Sequence, residues 1–145
     1  MLGIMKKKLN SILLIDDDVD CNFFHQRLIN KMGYAENIYI ARNGKEAIDL
    51  LQKEQDGKYL NPDIIFLDIN MPVMNGWEFI EEYQKLKEYQ KAKIVLMMLT
   101  TSLNESDIEK AKKYKDIKGY KNKYLDSAAM DAIFKDYFTD GSNTK

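Results

Sequence analysis

The chain has 145 residues, enough for one domain and little more. Hydrophobic residues make up 45% and charged residues 31%, a balance that builds a core and argues against disorder over most of the length. The net charge of −1 gives no global pull toward nucleic acid or an anionic membrane, and the single cysteine, Cys21, excludes an internal disulfide.

Residues 1–8 form an N-terminal extension, an apolar stretch followed by three lysines and too short for a signal segment. Leu9 to Ile15 is a strand rich in Ile and Leu. Val19 to Met32 predicts a helix with Cys21, Phe24, Leu28 and Met32 on one face, stopped at Gly33. Asn37 to Ala41 is the second strand, with Ile38 and Ile40 on one side. Asn43-Gly44 opens a helix to about Gln55, with Ala47, Leu50 and Leu51 inward. After the break at Asn61-Pro62-Asp63, Ile64 to Leu67 is a buried strand. Asn75 with Glu78 reads as a capping box for a helix striped by Phe79, Ile80, Tyr83 and Leu86.

Ile94 to Leu99 is the fourth strand, and Ser102 with Glu105 reads as a second capping box for a helix ending near Tyr114. Ile117 to Lys121 is a fifth strand, less apolar and therefore placed at an edge. Asp126 caps a last helix carrying Met130, Ile133, Phe134 and Tyr137, and residues 139–145 form a tail. No apolar run approaches the ~20 residues of a membrane span. The reading is a cytoplasmic protein with no membrane insertion.

Alternating strands and helices of this kind predict a parallel sheet with helices on both faces. Sites in such sheets lie beyond the carboxyl ends of the strands. Asp16 and Asp17 follow the first strand, Asp68 ends the third, Thr100 the fourth, and Lys123 follows the fifth. Parallel strands bring all five to one rim. Three carboxylates packed together repel, and one divalent cation plus Lys123 would balance them. Oxygen ligands alone suit Mg²⁺, and no His or Cys cluster accompanies them to suggest zinc. A metal-bound carboxylate facing an ammonium and a hydroxyl suits phosphoryl transfer, with Asp68 the natural acceptor. Adding a phosphoryl group upsets the local charge balance, so the site also reads as a switch.

These residues resemble those of response-regulator receiver domains over roughly Leu9 to Phe138. The matching segments are Leu13-Leu14-Ile15-Asp16-Asp17-Asp18, then Ile65-Phe66-Leu67-Asp68-Ile69-Asn70-Met71-Pro72 with Asn75-Gly76, then Leu99-Thr100-Thr101-Ser102, then Gly119-Tyr120-Lys121-Asn122-Lys123. The resemblance implies an α/β, flavodoxin-like, doubly wound five-stranded parallel sheet of order 2-1-3-4-5 with five helices. It implies Asp68 as phosphoacceptor, Asp17 as direct metal ligand, Asp16 as holder of metal-bound water, and the Asn70 backbone carbonyl as a further ligand of Mg²⁺, with Mn²⁺ as an alternative ion. Thr100 and Lys123 would bind phosphoryl oxygens, and Tyr120 would be the aromatic switch that follows Thr100. The implied partners are a histidine kinase or phosphotransfer protein and a downstream protein target.

Two positions depart from the family pattern. Tyr124 stands where proline usually follows the lysine, leaving open a trans bond with a rearranged loop or a cis bond held by packing. Thr101 replaces the usual Ala or Gly, which predicts narrower access to the phosphoryl group.

Other residues read more plainly. Asp18 and Asp20 favour a helix N-terminus. His25 and Cys21 read as packing residues of the first helix, and Trp77 as either a surface contact or a packing anchor. Lysines 110, 112, 113, 115, 118, 121 and 123 read first as a solvated face. The functional alternative is a docking surface for an acidic partner, or for a homodimer through the fourth-helix to fifth-helix face; direct nucleic-acid binding has no motif behind it.

With only about seven residues after the last helix, the expectation is a stand-alone receiver with no attached output, a phosphoacceptor rather than an enzyme. Two other classes compete. A haloacid-dehalogenase-type hydrolase would use Asp16 as nucleophile and Asp18 as acid–base, but leaves Asp68-Ile69-Asn70-Met71-Pro72 unexplained. A phosphate-independent binding module would keep the fold and ignore the intact rim residues.

Overall fold

The computed structural model of the chain describes residues 8–101 and 104–138. Five strands, β1 (Leu9–Ile15), β2 (Ala35–Ala41), β3 (Ile64–Asp68), β4 (Val95–Thr100) and β5 (Ile117–Asn122), form one sheet in the order β2-β1-β3-β4-β5. Every neighbouring pair is parallel. Five α-helices connect them: α1 (Val19–Met32), α2 (Gly44–Gln52), α3 (Gly76–Tyr83), α4 (Glu105–Lys112) and α5 (Ser127–Phe138), with a 3₁₀ turn at Glu88–Gln90.

The period of two along the strands divides the apolar residues between two cores. Ile12 and Leu14 of β1, with Ile64 and Phe66 of β3, face a core closed by Ile29 of α1 and by Met130, Ile133 and Phe134 of α5. Leu13, Ile15, Ile65 and Leu67 face the opposite way, onto Ala47 and Leu51 of α2 and Phe79 and Ile80 of α3. The central strands are apolar on both faces because helices cover both. β2 and β5 are the edges, as the weaker apolar content of β5 foretold.

Local signals set the helix ends. Asp18 caps α1 by accepting from Cys21 N, and Gly33 closes it at φ 68°. Asn43 caps α2, and Asn75 and Glu78 form the expected capping box on α3. Asp126 accepts from Ala129 N at the start of α5. The cap of α4 is Asn104, which accepts from Asp107 N; the expected Ser102 lies outside the described residues.

Three expectations are corrected. α2 stops at Gln52 rather than Gln55, because the chain turns extended at Lys53 and Gln55 pairs with Lys58 in a tight antiparallel bridge. β4 begins at Val95 and leaves Ile94 exposed. The buried face of α1 is Cys21, Asn22, His25 and Ile29, and Phe24 is 42% exposed. Two polar residues take the inward stripe because each finds a hydrogen-bond partner there, which removes the usual penalty for burying them.

Gly76 brings α3 into close approach with the sheet's carboxyl edge. A Cβ there would lie 2.6 Å from Asp68 O and 2.8 Å from Ile69 Cα, both backbone atoms. Its N–H donates to Ile69 O at 2.7 Å. Gly76→Ala should therefore destabilise the fold by about 1–3 kcal/mol through overpacking, read as a lower urea midpoint with an unchanged slope.

Candidate functional site: an acidic cluster at the sheet edge

The strand order places β1 between β2 and β3, so the connections leaving β1 and β3 part on opposite faces and open a crevice at the carboxyl ends. Asp16 and Asp17 follow β1 into that crevice, and Asp68 is the last residue of β3. One carboxylate oxygen from each of the three lies within 4.8 Å of the others. Asp16 and Asp68 are buried, whereas Asp17 is exposed at the mouth.

Lys123, just beyond β5, reaches across the sheet end. Its Nζ donates to both carboxylate oxygens of Asp16, at 2.9 and 3.1 Å, and lies 3.5 Å from Asp68 Oδ1. The Lys123 backbone N–H donates to the carbonyl of Thr100 at 2.9 Å, tying the β4 and β5 ends together. Thr100 is buried at the end of β4, and Thr101 beside it is exposed. Asn70 is exposed two residues past Asp68. Tyr120 pairs with Met98 within the sheet and packs, half-buried, against the core beneath α2 and α3. The structure thus brings Asp16, Asp17, Asp68 and Lys123 into direct proximity and sets Thr100 on the adjacent strand end.

The Lys123–Tyr124 peptide is cis, which resolves the alternative left by the missing proline. His25, read from the sequence as a packing residue, and Asn22, for which the sequence suggested no role, both contact the loops of the site. Asn22 Nδ2 donates to the Asp16 carbonyl at 2.8 Å, and His25 Nε2 accepts from Leu125 N–H at 2.9 Å. The available signal was their spacing of three within an otherwise apolar helix face, where a buried polar residue needs a partner.

Charge at the site is unevenly compensated. Burial, followed by the neighbouring charge of Asp16, pushes Asp68 up from 3.8 to about 7, with Lys123 pulling the other way. Burial works against the Lys123 ammonium, yet its hydrogen bonds and charge contact with Asp16, and then Asp68, hold its pKa above the ordinary value. One ammonium is not enough for three carboxylates, and the cluster consists only of oxygen donors. Those two properties fit a hard divalent cation such as Mg²⁺. Asp18, the second acid of the hydrolase alternative, is committed to capping α1, with its side chain accepting from Cys21 N at 3.1 Å.

A doubly wound parallel sheet with an acidic crevice faced by lysine defines a class of phosphate-handling and signalling domains. Comparison with known proteins narrows it. A family model described as the response regulator receiver domain matches residues 12–135, so the chain belongs to the response-regulator receiver family of two-component systems. Two-component response regulator 24 of Arabidopsis thaliana is 34% identical over 106 residues, covering 72% of this chain and 67% of that protein. A two-component response regulator of Cytophaga hutchinsonii has a solved structure with a TM-score of 0.74 and 30% identity, covering 90% of this chain and 97% of that one. The probable methanogenesis regulatory protein FilR2 of Methanothrix harundinacea is 27% identical over 100 residues, and the matched stretch spans 69% of this chain and 63% of that relative. Among the described residues, no helix is long and apolar enough to cross a membrane.

The raised Asp68 pKa has a direct consequence for stability. The unfolded aspartate gives up its proton near 3.8 while the folded one keeps it to about 7. Stability from this group is therefore full below the lower value and is lost as pH rises through the upper one. Asp68→Asn should raise stability in metal-free buffer at pH 8 by on the order of 1–3 kcal/mol, with the gain fading toward pH 4; urea unfolding at both pH values measures it. Added Mg²⁺ should stabilise the parent chain and do so less for the variant.

Proposed function

We propose that residues 9–138 act as a receiver that accepts a phosphoryl group on Asp68, with Mg²⁺ (or Mn²⁺) bound at the acidic cluster. The observation that carries this reading is the convergence of Asp16, Asp17 and Asp68 within 4.8 Å, with Lys123 Nζ 2.9 Å from Asp16 and 3.5 Å from Asp68. Asp17 and Asp68 would hold the metal directly, Asn70 through its backbone carbonyl, and Asp16 through water. When bound, the cation supplies positive charge for the carboxylates and the phosphoryl oxygens.

The chain's own residues do the rest. An Asp68 carboxylate oxygen attacks phosphorus, and its new bond forms as the donor's bond breaks; the leaving group keeps the electron pair. Lys123 faces the incoming phosphoryl oxygens as a fixed charge, and Thr100 supplies a hydroxyl to one of them. The product carries more negative charge than the aspartate it replaces. Thr100 moving toward it, with Tyr120 following, would carry the change to the helix faces.

The donor would be a histidine kinase or a phosphotransfer protein, acting in the cytoplasm. The receiving partner would meet the face running from α4 into β5 and α5, where Lys110, Lys112, Lys113, Lys115, Lys118 and Lys121 make the surface basic. An acidic protein partner fits that charge, and a second copy of the chain is the other occupant for it. The domain takes part in its own phosphorylation as acceptor.

Incubation with Mg²⁺ and acetyl phosphate, read by intact mass, tests the assignment. The parent should gain one phosphoryl group and Asp68→Asn none. Lys123→Met should slow the gain by on the order of 10²–10³-fold, the range for removing one charge-stabilising donor. Asp17→Asn should weaken Mg²⁺ by about tenfold or more, a loss of ~1.4 kcal/mol. An adduct that survives in Asp68→Asn would remove Asp68 from its role.

A further inference from the structure

We infer that α1 is a two-point clamp on the Asp16–Lys123 ion pair, and that His25 is a positioning residue for the Lys123 ammonium. This inference rests on the proposed phosphoacceptor function.

The two ends of the ion pair come from opposite ends of the chain. Asp16 follows β1, and Lys123 lies 107 residues later beyond β5. The parallel sheet brings both loops to the same rim, but with β3 and β4 between them strand pairing ties Lys123 only to Thr100 at the β4 end and makes no direct link to the Asp16 loop. α1 does. Asn22 and His25 stand three residues apart, on one helix face, and both are buried. Asn22 Nδ2 donates to the carbonyl of Asp16 itself, at 2.8 Å. His25 Nε2 accepts from the backbone N–H of Leu125, two residues past Lys123, at 2.9 Å. One rigid helical turn therefore fixes the separation of the two backbones whose side chains form the ion pair.

His25 is built for this task. Accepting at Nε2 requires that nitrogen to be unprotonated, which places the proton of the neutral ring on Nδ1. Nδ1 faces Cys21 Sγ at 3.7 Å, one turn back along the helix. Burial holds the ring's pKa down at about 4, so the acceptor lone pair persists at neutral pH. Tilted contacts of the His25 ring with Phe24 at 5.9 Å and with Tyr124 at 5.9 Å, and of Phe24 with Tyr124 at 5.5 Å, pack the lysine loop against α1 from the outside. Leu125 is 1% exposed, so its N–H has no water to turn to if His25 is lost.

Lys123 matters through its distance from Asp68. A displacement of the loop by a fraction of an ångström changes the position of a charge that must meet phosphoryl oxygens, and misplacement on that scale lowers rates steeply. His25→Phe keeps the ring and removes the acceptor. His25→Gln keeps an acceptor oxygen at about the reach of Nε2. Asn22→Ala releases the other end of the clamp.

Two readouts on folded protein decide the matter: the rate of Asp68 phosphorylation by acetyl phosphate at saturating Mg²⁺, and the ¹⁵N signal of the Lys123 ammonium, which a buried ion pair protects from exchange. His25→Phe should slow phosphorylation by about tenfold or more, while His25→Gln stays within about threefold of the parent. Mg²⁺ affinity should not weaken in either, since the direct metal carboxylates, Asp17 just past β1 and Asp68 at the end of β3, make no contact with His25. The ammonium signal should persist in the parent and in His25→Gln and disappear in His25→Phe. If His25→Phe does not fold, Asn22→Ala carries the same expectation for rate and signal. A parental rate and signal in His25→Phe, or an equal loss in Phe and Gln variants, would overturn the clamp. A parent that takes no phosphoryl group would count against the proposed function alone, and the ammonium signal would then decide the clamp by itself.

Discussion

Mutual repulsion among Asp16, Asp17 and Asp68 is the constraint on which the rest of the molecule is arranged. Carboxylate oxygens within 4.8 Å of one another, two of the three groups buried, do not assemble without positive charge. Lys123 provides part of it and is held against Asp16 for that purpose. The sheet supplies the rigidity. β1 and β3 are covered on both faces, so the acids at their ends cannot relax apart without disturbing two cores at once. The fold stores an unfavourable arrangement at its rim and stabilises it with apolar packing elsewhere, the usual relation between a functional site and its scaffold.

Much of the architecture was legible in the sequence because it rests on local rules. Gly33, Asn43, Asn75 with Glu78, and Asp126 each mark a helix end by a hydrogen-bonding habit that needs no knowledge of the rest of the chain. The order of acids, hydroxyl and ammonium along the chain, each after an apolar strand, placed them on one rim. Extents were less legible. α2 was read three residues too long because Gln52 to Gln55 is polar and helix-compatible, and only the turn at Asp56-Gly57 decides otherwise.

The face of α1 was misread for a different reason. An apolar stripe through Phe24 is the natural choice when burial is equated with hydrophobicity. His25 is buried as a packing residue, as read, but the molecule also buries Asn22 and leaves Phe24 toward solvent, because partners at Asp16 and Leu125 satisfy the polar groups. Those partners are 6 and 100 residues away, and no periodicity encodes them. The gathering of the rim acids was legible from their positions after the strands; the contacts that surround them were not, since a supporting contact is written in tertiary geometry rather than in a motif.

The edges of the sheet carry a last consequence. β5 presents the pattern Ile-Lys-Gly-Tyr-Lys-Asn, with Lys118 and Lys121 exposed along an open margin. A bare strand margin invites another chain to add itself by backbone pairing, and a lysine-studded one resists, because an added copy would bring like charges together along its length. Self-association on this side of the molecule would therefore proceed by the packing of helix surfaces, a reversible mode, and not by extension of the sheet into a fibre. Lys118 and Lys121 thus act on the strand margin as well as on the charge of the face, disfavouring edge-to-edge pairing of copies.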